Sequence, residues 1–259
     1  MGLYLISPAL ARLLLFQPSG GAPGDPPVLA GITGRDVSLT TIDGVSIHGW
    51  WYDRSPSPAV LLLHGNAGNI SNRTPLALGL LQEGLSVFLL EYRGYGASEG
   101  RPTEEGLLRD AQAGFEFLQA QEGVTGKVVV FGRSMGGAVA AGLATSRDVG
   151  AVILESSFTS LEAMGRALYP FLPGILFRRL RGRFSTLERV RELRAPLLVI
   201  HGTRDGIVPH RMGRELRQAG GQETRWLSVE EAGHNDVFQV GGPHYFRTIG
   251  EFVKESAGR

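Results

Sequence analysis

The sequence contains no cysteine among its 259 residues. A disulfide framework, a zinc site built on thiolates and a cysteine nucleophile are therefore all excluded. An excess of charge of either sign is also missing, because the formal net charge is +1 and charged residues make up only 20% of the chain. This balance gives no global attraction to nucleic acid, so partners must be inferred from local features.

A long, uninterrupted apolar run is also lacking. The amino-terminal stretch is apolar but is broken by Pro8 and Arg12, and it falls short of the roughly 20 apolar residues that a spanning helix needs. We expect residues 3–16 to form a short helix packed on the domain, with membrane-surface contact or an export signal as alternatives. Residues 18–27, rich in Gly and Pro, indicate a linker. The predicted division is thus 1–27 for this helix and linker, and 28–259 for one domain.

From residue 28 onward, apolar runs alternate with helical patterns. The runs predict strands at 36–41, 45–52, 59–63, 85–90, 128–131, 151–154, 196–200 and 224–229, the first two forming a hairpin at a sheet edge. Helices are predicted at 75–83, 103–121, 209–219 and after 236. The expected fold class is α/β, with a mostly parallel central sheet of about eight strands and helices on both faces. Residues 158–194 break the alternation and predict a small helical cap.

A nucleophile elbow is predicted where the apolar run 128–131 ends. The sequence Gly132-Arg133-Ser134-Met135-Gly136 has the G-x-S-x-G pattern, and small residues that suit a helix follow it. In such a turn the serine lies on a strained corner between a strand and a helix, with its hydroxyl above the sheet edge. We expect that a Cβ at either glycine would crowd the opposite arm of the corner.

Two further residues complete a candidate catalytic triad with Ser134. Asp205 and His234 each follow a predicted strand, which places all three at the carboxyl edge of the sheet. His234 would take the serine proton, and Asp205 would orient the imidazole and stabilise its charged form. The oxyanion hole is predicted to use the N–H of Met135 and one from Asn66, with Ala67 as the reserve.

Other assignments of these roles are weaker. Asp236 could replace Asp205 as the acid, but it lies two residues from His234. His64 and His201 end strands, and we interpret them as structural residues that hold loops. No His-Glu-x-x-His or other ligand spacing appears, and the glycine-rich 64–69 segment lacks a Gly-Lys-Ser/Thr ending. We therefore predict neither a catalytic metal nor a cofactor.

One basic cluster stands out in the predicted cap, formed by Arg178, Arg179, Arg181 and Arg183. Its arginines could form a solvated face, with their stems lying on apolar residues. Alternatively, together with residues 3–16, they could contact anionic lipid head groups. Nucleic acid is disfavoured because no aromatic-basic platform accompanies the cluster.

The chain resembles the α/β-hydrolase superfamily over nearly its whole length. The motifs that carry this resemblance are His64-Gly65-Asn66-Ala67-Gly68-Asn69, Tyr92-Arg93-Gly94-Tyr95-Gly96 with Ser98-Glu99-Gly100, Gly132-Arg133-Ser134-Met135-Gly136-Gly137, His201-Gly202-Thr203-Arg204-Asp205 and Ala232-Gly233-His234-Asn235-Asp236. The set is most similar to the lysophospholipase-like branch, which includes acyl-protein thioesterases and monoacylglycerol lipases. It departs from that branch at Glu91, where Asp is frequent, and at Gly206, where Glu is frequent.

This resemblance implies a cofactor-free serine hydrolase that cleaves a small-molecule or lipid ester, or a thioester, through an acyl-enzyme on Ser134. It also raises the expectation of membrane proximity, and the expected location is cytoplasmic or peripheral membrane-associated. A serine peptidase with the same triad is the alternative enzyme. A membrane-docked interaction protein with an inert triad is the alternative from another class.

Overall fold

Eight strands form one central sheet in the computed structural model, which describes residues 16–18 and 21–258. They are β1 (Arg35–Thr40), β2 (Ser46–Tyr52), β3 (Ala59–Leu63), β4 (Ser86–Glu91), β5 (Val129–Arg133), β6 (Ala151–Glu155), β7 (Leu197–Gly202) and β8 (Arg225–Val229). Their order across the sheet is β1-β2-β4-β3-β5-β6-β7-β8. The pairs β1–β2 and β2–β4 are antiparallel, and all other neighbours are parallel. The predicted mostly parallel sheet with an antiparallel hairpin at its edge is confirmed.

Helices cover both faces of this sheet. They are α1 (Thr74–Gln82), α2 (Glu104–Gln119), α3 (Met135–Ala144), α4 (Leu161–Leu168), α5 (Thr186–Arg191), α6 (His210–Ala219) and α7 (Val237–Ala257), which kinks at Gly242. Two 3₁₀ helices span Ile70–Arg73 and Gly174–Leu180. None of the helices within the described residues is both long and apolar enough to cross a membrane.

The central strands are buried on both faces, and this is why they read as continuous apolar runs. In β3, Leu61 and Leu63 belong to the hydrophobic cluster that contains α2 and α3 residues. Val60 and Leu62 belong to a second cluster, which contains residues of α1 and α7. The alternation follows from the two-residue side-chain period of a strand. Because the strands from β3 to β8 run parallel, their carboxyl ends lie along one edge of the sheet. The loops that leave this edge carry the motifs.

The amino-terminal part differs from the linker expectation at one point. Gln17 and Pro18 form a two-residue strand that pairs in parallel with Ala67 and Gly68. The pairing fastens residues 16–18 beside the glycine-rich loop that follows β3. Phe16 is buried, with its ring 6.2 Å from the ring of Phe184. The remainder of the predicted helix at 3–16 lies outside the described residues.

Candidate active site

Ser134 lies between the last residue of β5 and the first residue of α3. Its backbone has φ 51° and ψ −116°, a conformation that costs a non-glycine residue on the order of 1–3 kcal/mol. Two hydrogen bonds hold the corner: Ser134 N–H donates to the Glu155 carbonyl at 2.8 Å, and Gly137 N–H donates to the Ser134 carbonyl at 3.0 Å. The strained turn that the G-x-S-x-G pattern predicts is therefore present.

Glycine is required at both ends of this turn because backbone atoms approach closely. A Cβ at Gly132 would overlap the carbonyl group of Gly136, on the opposite arm of the corner as expected. A Cβ at Gly136 would instead overlap the carbonyl oxygen of Leu63, at the end of β3. The prediction that a Cβ at Gly136 would crowd the opposite arm of the corner is therefore wrong, because the group it would meet belongs to β3. The corner closes against β3, and this contact brings Ser134 beside the loop that leaves that strand.

Asp205 and His234 are in direct contact across two loops. His234 Nδ1 lies 2.8 Å from Asp205 Oδ2. The loops themselves are joined by a hydrogen bond from Arg204 N–H to the Ala232 carbonyl at 2.9 Å. A Cβ at Gly202 would overlap that same carbonyl oxygen. Close approach of the loops after β7 and β8 therefore depends on Gly202, and it holds Asp205 within hydrogen-bond distance of His234.

The Asp205 carboxylate is buried but well supplied with donors. Its Oδ1 accepts the backbone N–H groups of Ile207 at 2.9 Å and Val208 at 2.8 Å. Burial by itself would raise the pKa of Asp205, but hydrogen bonds from His201, His234 and the backbone hold that pKa well below its usual value. Asp205 is therefore ionised at neutral pH. An ionised acceptor at Nδ1 favours the imidazole tautomer whose Nε2 is free to take a proton.

The predicted oxyanion loop runs directly past Ser134. A Cβ placed on Gly65 would lie 3.4 Å from Ser134 Cβ. Asn66 is held from two sides, because its carbonyl accepts the Tyr95 hydroxyl at 2.8 Å and its side-chain Oδ1 accepts Gln17 N–H at 2.9 Å. These bonds fix the orientation of the peptide groups around Asn66.

The candidate catalytic and oxyanion-hole residues surround one cavity of about 640 Å³. Ser134, Met135, Asn66 and His234 all line it, and Asp205 lies behind His234. Apolar lining comes from the segment between β6 and β7, through Phe158, Leu161, Met164, Leu168, Phe177 and Leu180. Polar lining comes from Gln17, Asn66, Asn72, Arg73, Arg133 and Asn235. No Asp or Glu occurs among the described residues that line the cavity.

Comparison with known proteins identifies the family. A family model described as serine aminopeptidase, S33, matches residues 54–181. The α/β-hydrolase domain-containing protein WAV2 of Arabidopsis thaliana is 34% identical over 244 residues, which cover 86% of this chain and 79% of the relative. The chain belongs to the α/β-hydrolase superfamily.

Two further similarities extend over most of this α/β-hydrolase. The uncharacterized protein Rv2307c of Mycobacterium tuberculosis is 41% identical over 250 residues, covering 95% of this chain and 88% of the relative. The structure of the Pyrococcus furiosus esterase Pf2001 superposes with a TM-score of 0.73 at 25% identity, covering 90% of this chain and 97% of that chain. The α/β-hydrolase fold is confirmed, and esterase neighbours together with the family model support a hydrolase activity.

The other candidate residues of the α/β-hydrolase lie away from the cavity. His64 is buried, with Nδ1 at 2.7 Å from the Gly65 carbonyl. His201 is buried, with Nε2 at 3.0 Å from the Val208 carbonyl and 3.3 Å from Asp205. Asp236 is exposed and accepts Gly233 N–H at 2.7 Å. Within residues 16–18 and 21–258, no group of three His, Asp or Glu is arranged to hold a metal ion.

Sequence reasoning missed Arg73 and Gln17 as lining residues. Both contact the glycine-rich loop, since the Arg73 guanidinium donates to the Ala67 carbonyl and Gln17 bonds Asn66. Arg73 ends the 3₁₀ helix that Asn69 caps through its bond from Ser71 N–H at 3.0 Å. The sequence indicates an arginine four residues after the helix-capping Asn69, but this spacing does not predict where the guanidinium lies.

Proposed function

We propose that this α/β-hydrolase is a serine hydrolase that cleaves carboxylic esters or thioesters through an acyl-enzyme on Ser134. The observation that carries the proposal is the Asp205–His234 hydrogen bond of 2.8 Å, together with the elbow serine Ser134, which lines the same cavity as His234. Ser134 is a weak nucleophile by itself, and it needs the imidazole Nε2 as a base.

The reaction follows from these roles. Ser134 Oγ attacks the substrate carbonyl carbon while His234 Nε2 accepts the hydroxyl proton. The carbonyl oxygen becomes an oxyanion, which the N–H of Met135 and one from Asn66 or Ala67 would stabilise, each by about 3–4 kcal/mol. His234 then returns the proton to the leaving alcohol or thiol as the acyl bond breaks. Water, deprotonated by His234, then attacks the acyl carbon, and His234 returns this proton to Ser134 Oγ as the acyl–serine bond breaks and the acid is released.

Ester cleavage is favoured over aminopeptidase activity, although the family model carries a peptidase description. An aminopeptidase must bind the ammonium group of its substrate, and a buried ammonium requires a carboxylate partner. The described cavity lining contains two arginines and no carboxylate. Its large apolar portion suits an acyl chain, which gains about 0.8 kcal/mol for each buried methylene.

The test is kcat/KM on p-nitrophenyl esters from acetate to palmitate, with alanine p-nitroanilide as the peptidase substrate. We expect ester hydrolysis that changes steadily with chain length, no detectable anilide hydrolysis, and loss of activity in Ser134→Ala. Preferential anilide hydrolysis would establish the peptidase alternative. Failure of a fluorophosphonate to label Ser134 would support an inert triad.

We further propose that the cap contacts a membrane surface. Phe171, Leu168 and Ile175 are 77%, 46% and 48% exposed. Ile175 also lines a shallow groove with Arg178 and Arg181. Exposed apolar side chains beside arginines are the combination that binds an anionic lipid interface. No contact with nucleic acid is proposed.

A further inference from the structure

Arg73 is an unusual component of a cavity with a large apolar lining. It is half-buried and lines the same cavity as Ser134 and His234. Its guanidinium donates one hydrogen bond to the Ala67 carbonyl, while its Nε is buried without a hydrogen-bond partner. Within the described part of the chain, no carboxylate lies within 4.0 Å of its nitrogen atoms. A guanidinium has five N–H donors, so most of its binding capacity is unused.

The surrounding charges leave the cation only partly compensated. Burial lowers the pKa of Arg73 to about 10, and repulsion from Arg133 adds to this effect. Glu91 and Glu155 attract the guanidinium, but neither lies within 4.0 Å of its nitrogen atoms. Glu155 pairs with Arg133 and Tyr245. Burial raises the pKa of Glu91 to about 7, so this carboxyl is only partly ionised at neutral pH.

Ser134 and Arg73 approach two different points of the glycine-rich loop, and both line one cavity. Gly65 approaches Ser134, and a Cβ on Gly68 would lie 3.4 Å from Arg73 Nη2. Three residues of chain span at most about 10 Å. One substrate that fills this cavity of about 640 Å³ can therefore contact both the serine and the guanidinium.

We infer that Arg73 forms an anion subsite, and that the preferred substrate is an amphiphilic ester that carries a phosphate or carboxylate group. The inference rests on the proposed ester hydrolysis. An apolar chain lies under the cap, and the anionic group lies against Arg73. A guanidinium binds phosphate and carboxylate alike through paired N–H donors, so the subsite is defined by the negative charge and the oxygen acceptors that these two groups share.

Binding is tested first, because it does not depend on catalysis. Octyl phosphate, octanoate and neutral 1-octanol are titrated calorimetrically into the full-length protein and into Arg73→Gln. We expect at least one anion to bind more tightly than octanol, and to lose about 10- to 100-fold in affinity in Arg73→Gln while octanol binding is unchanged. The stronger anion identifies phosphate or carboxylate as the group selected. Equal binding of all three compounds, or equal losses in the variant, would overturn the inference.

Hydrolysis gives an independent readout. The kcat/KM for 1-octanoyl-glycerol 3-phosphate is compared with that for 1-octanoylglycerol, and p-nitrophenyl hydrogen adipate with its neutral methyl ester. The first pair carries the anion in the alcohol and the second in the acid. Arg73→Gln should lower the anionic-to-neutral ratio at least tenfold in one pair, through KM, and Arg73→Lys should recover part of it.

Arg101→Gln is the matched control, since it removes the same charge from an exposed residue that does not line the cavity. It should leave both ratios unchanged. A uniform loss on neutral and anionic esters in Arg73→Gln would mean that Arg73 only supports the loop, and would refute the subsite. If no ester is cleaved but anion binding still depends on Arg73, then the proposed function fails and the subsite stands.

Discussion

Replacing Asp205 by Asn tests the candidate triad most sharply, because the structure dictates how the new amide must lie. Asp205 Oδ1 accepts two backbone N–H groups, from Ile207 and Val208. An Asn at this position keeps its carbonyl oxygen there, because a backbone N–H is always a donor, whereas His234 can change its tautomer and His201 Nε2 still has the Val208 carbonyl as an acceptor. Its NH₂ then points at His234 Nδ1, which lies 2.8 Å from Oδ2 in the wild type.

This orientation reverses the hydrogen bond and therefore the tautomer. An NH₂ donor requires a lone pair on Nδ1, so the imidazole proton moves to Nε2, which can no longer accept the proton of Ser134. We expect kcat for ester hydrolysis to fall about 10⁴-fold, equivalent to about 5 kcal/mol in the activation barrier. KM should change little, because Asp205 does not line the cavity.

The assay is steady-state hydrolysis of the best p-nitrophenyl ester, with circular dichroism to confirm folding. Asp236→Asn is the control, because this exposed residue keeps its oxygen acceptor for Gly233 N–H after substitution. We expect it to retain activity within about threefold, as surface changes usually do. An Asp205→Asn enzyme within tenfold of wild type, or an equal loss in Asp236→Asn, would refute the assignment of Asp205 as the acid.

Three further predictions concern the elbow, a buried carboxyl and the cap. Gly132→Ala should lower the free energy of unfolding by at least about 2 kcal/mol in urea, whereas Gly206→Ala, whose Cβ meets open space, should not. Because the folded-state pKa of Glu91 is raised to about 7, the free energy of unfolding of the wild type relative to that of Glu91→Gln should fall as pH rises from about 5 to 7. The comparison with the variant is needed because the lowered pKa of the buried His64, 3.5 Å from Glu91, makes stability rise with pH over part of this range. An unchanged pH profile in that variant would contradict the pKa. Phe171→Ser should reduce co-sedimentation with phosphatidylglycerol vesicles, whereas Ile42→Ser, exposed outside the cap, should have no effect.

Local pattern was sufficient for most of the fold. The apolar run 59–63 matches β3 residue for residue, and the helix expected at 75–83 is α1 at Thr74–Gln82. These elements are readable because strands buried on both faces need uninterrupted apolar side chains, and helices repeat every 3.6 residues. The motifs end such elements, and the shared carboxyl edge then brings Ser134 and His234 to one cavity.

Contacts between segments that are far apart in the sequence could not be predicted from local pattern. Gln17 bonds Asn66 through backbone and side-chain atoms, 49 residues apart, and neither segment carries a pattern that names its partner. Arg73 likewise looks like an ordinary residue at a helix end. Its significance depends on which carbonyl it reaches and which carboxylates are absent around it. The expected domain boundary near residue 28 and the helix at 3–16 stay predictions.

The chemistry of the cavity lining connects the two proposals. Apolar residues of the cap and polar residues of the loops meet in one cavity that also contains Ser134. A purely apolar ester would leave the Arg73 cation without an anion, and a purely polar ester would leave the cap residues in contact with water. Each mismatch costs binding energy, because buried charge needs a partner and exposed apolar surface is unfavourable. An amphiphilic anionic ester avoids both costs in the cavity that Ser134 lines.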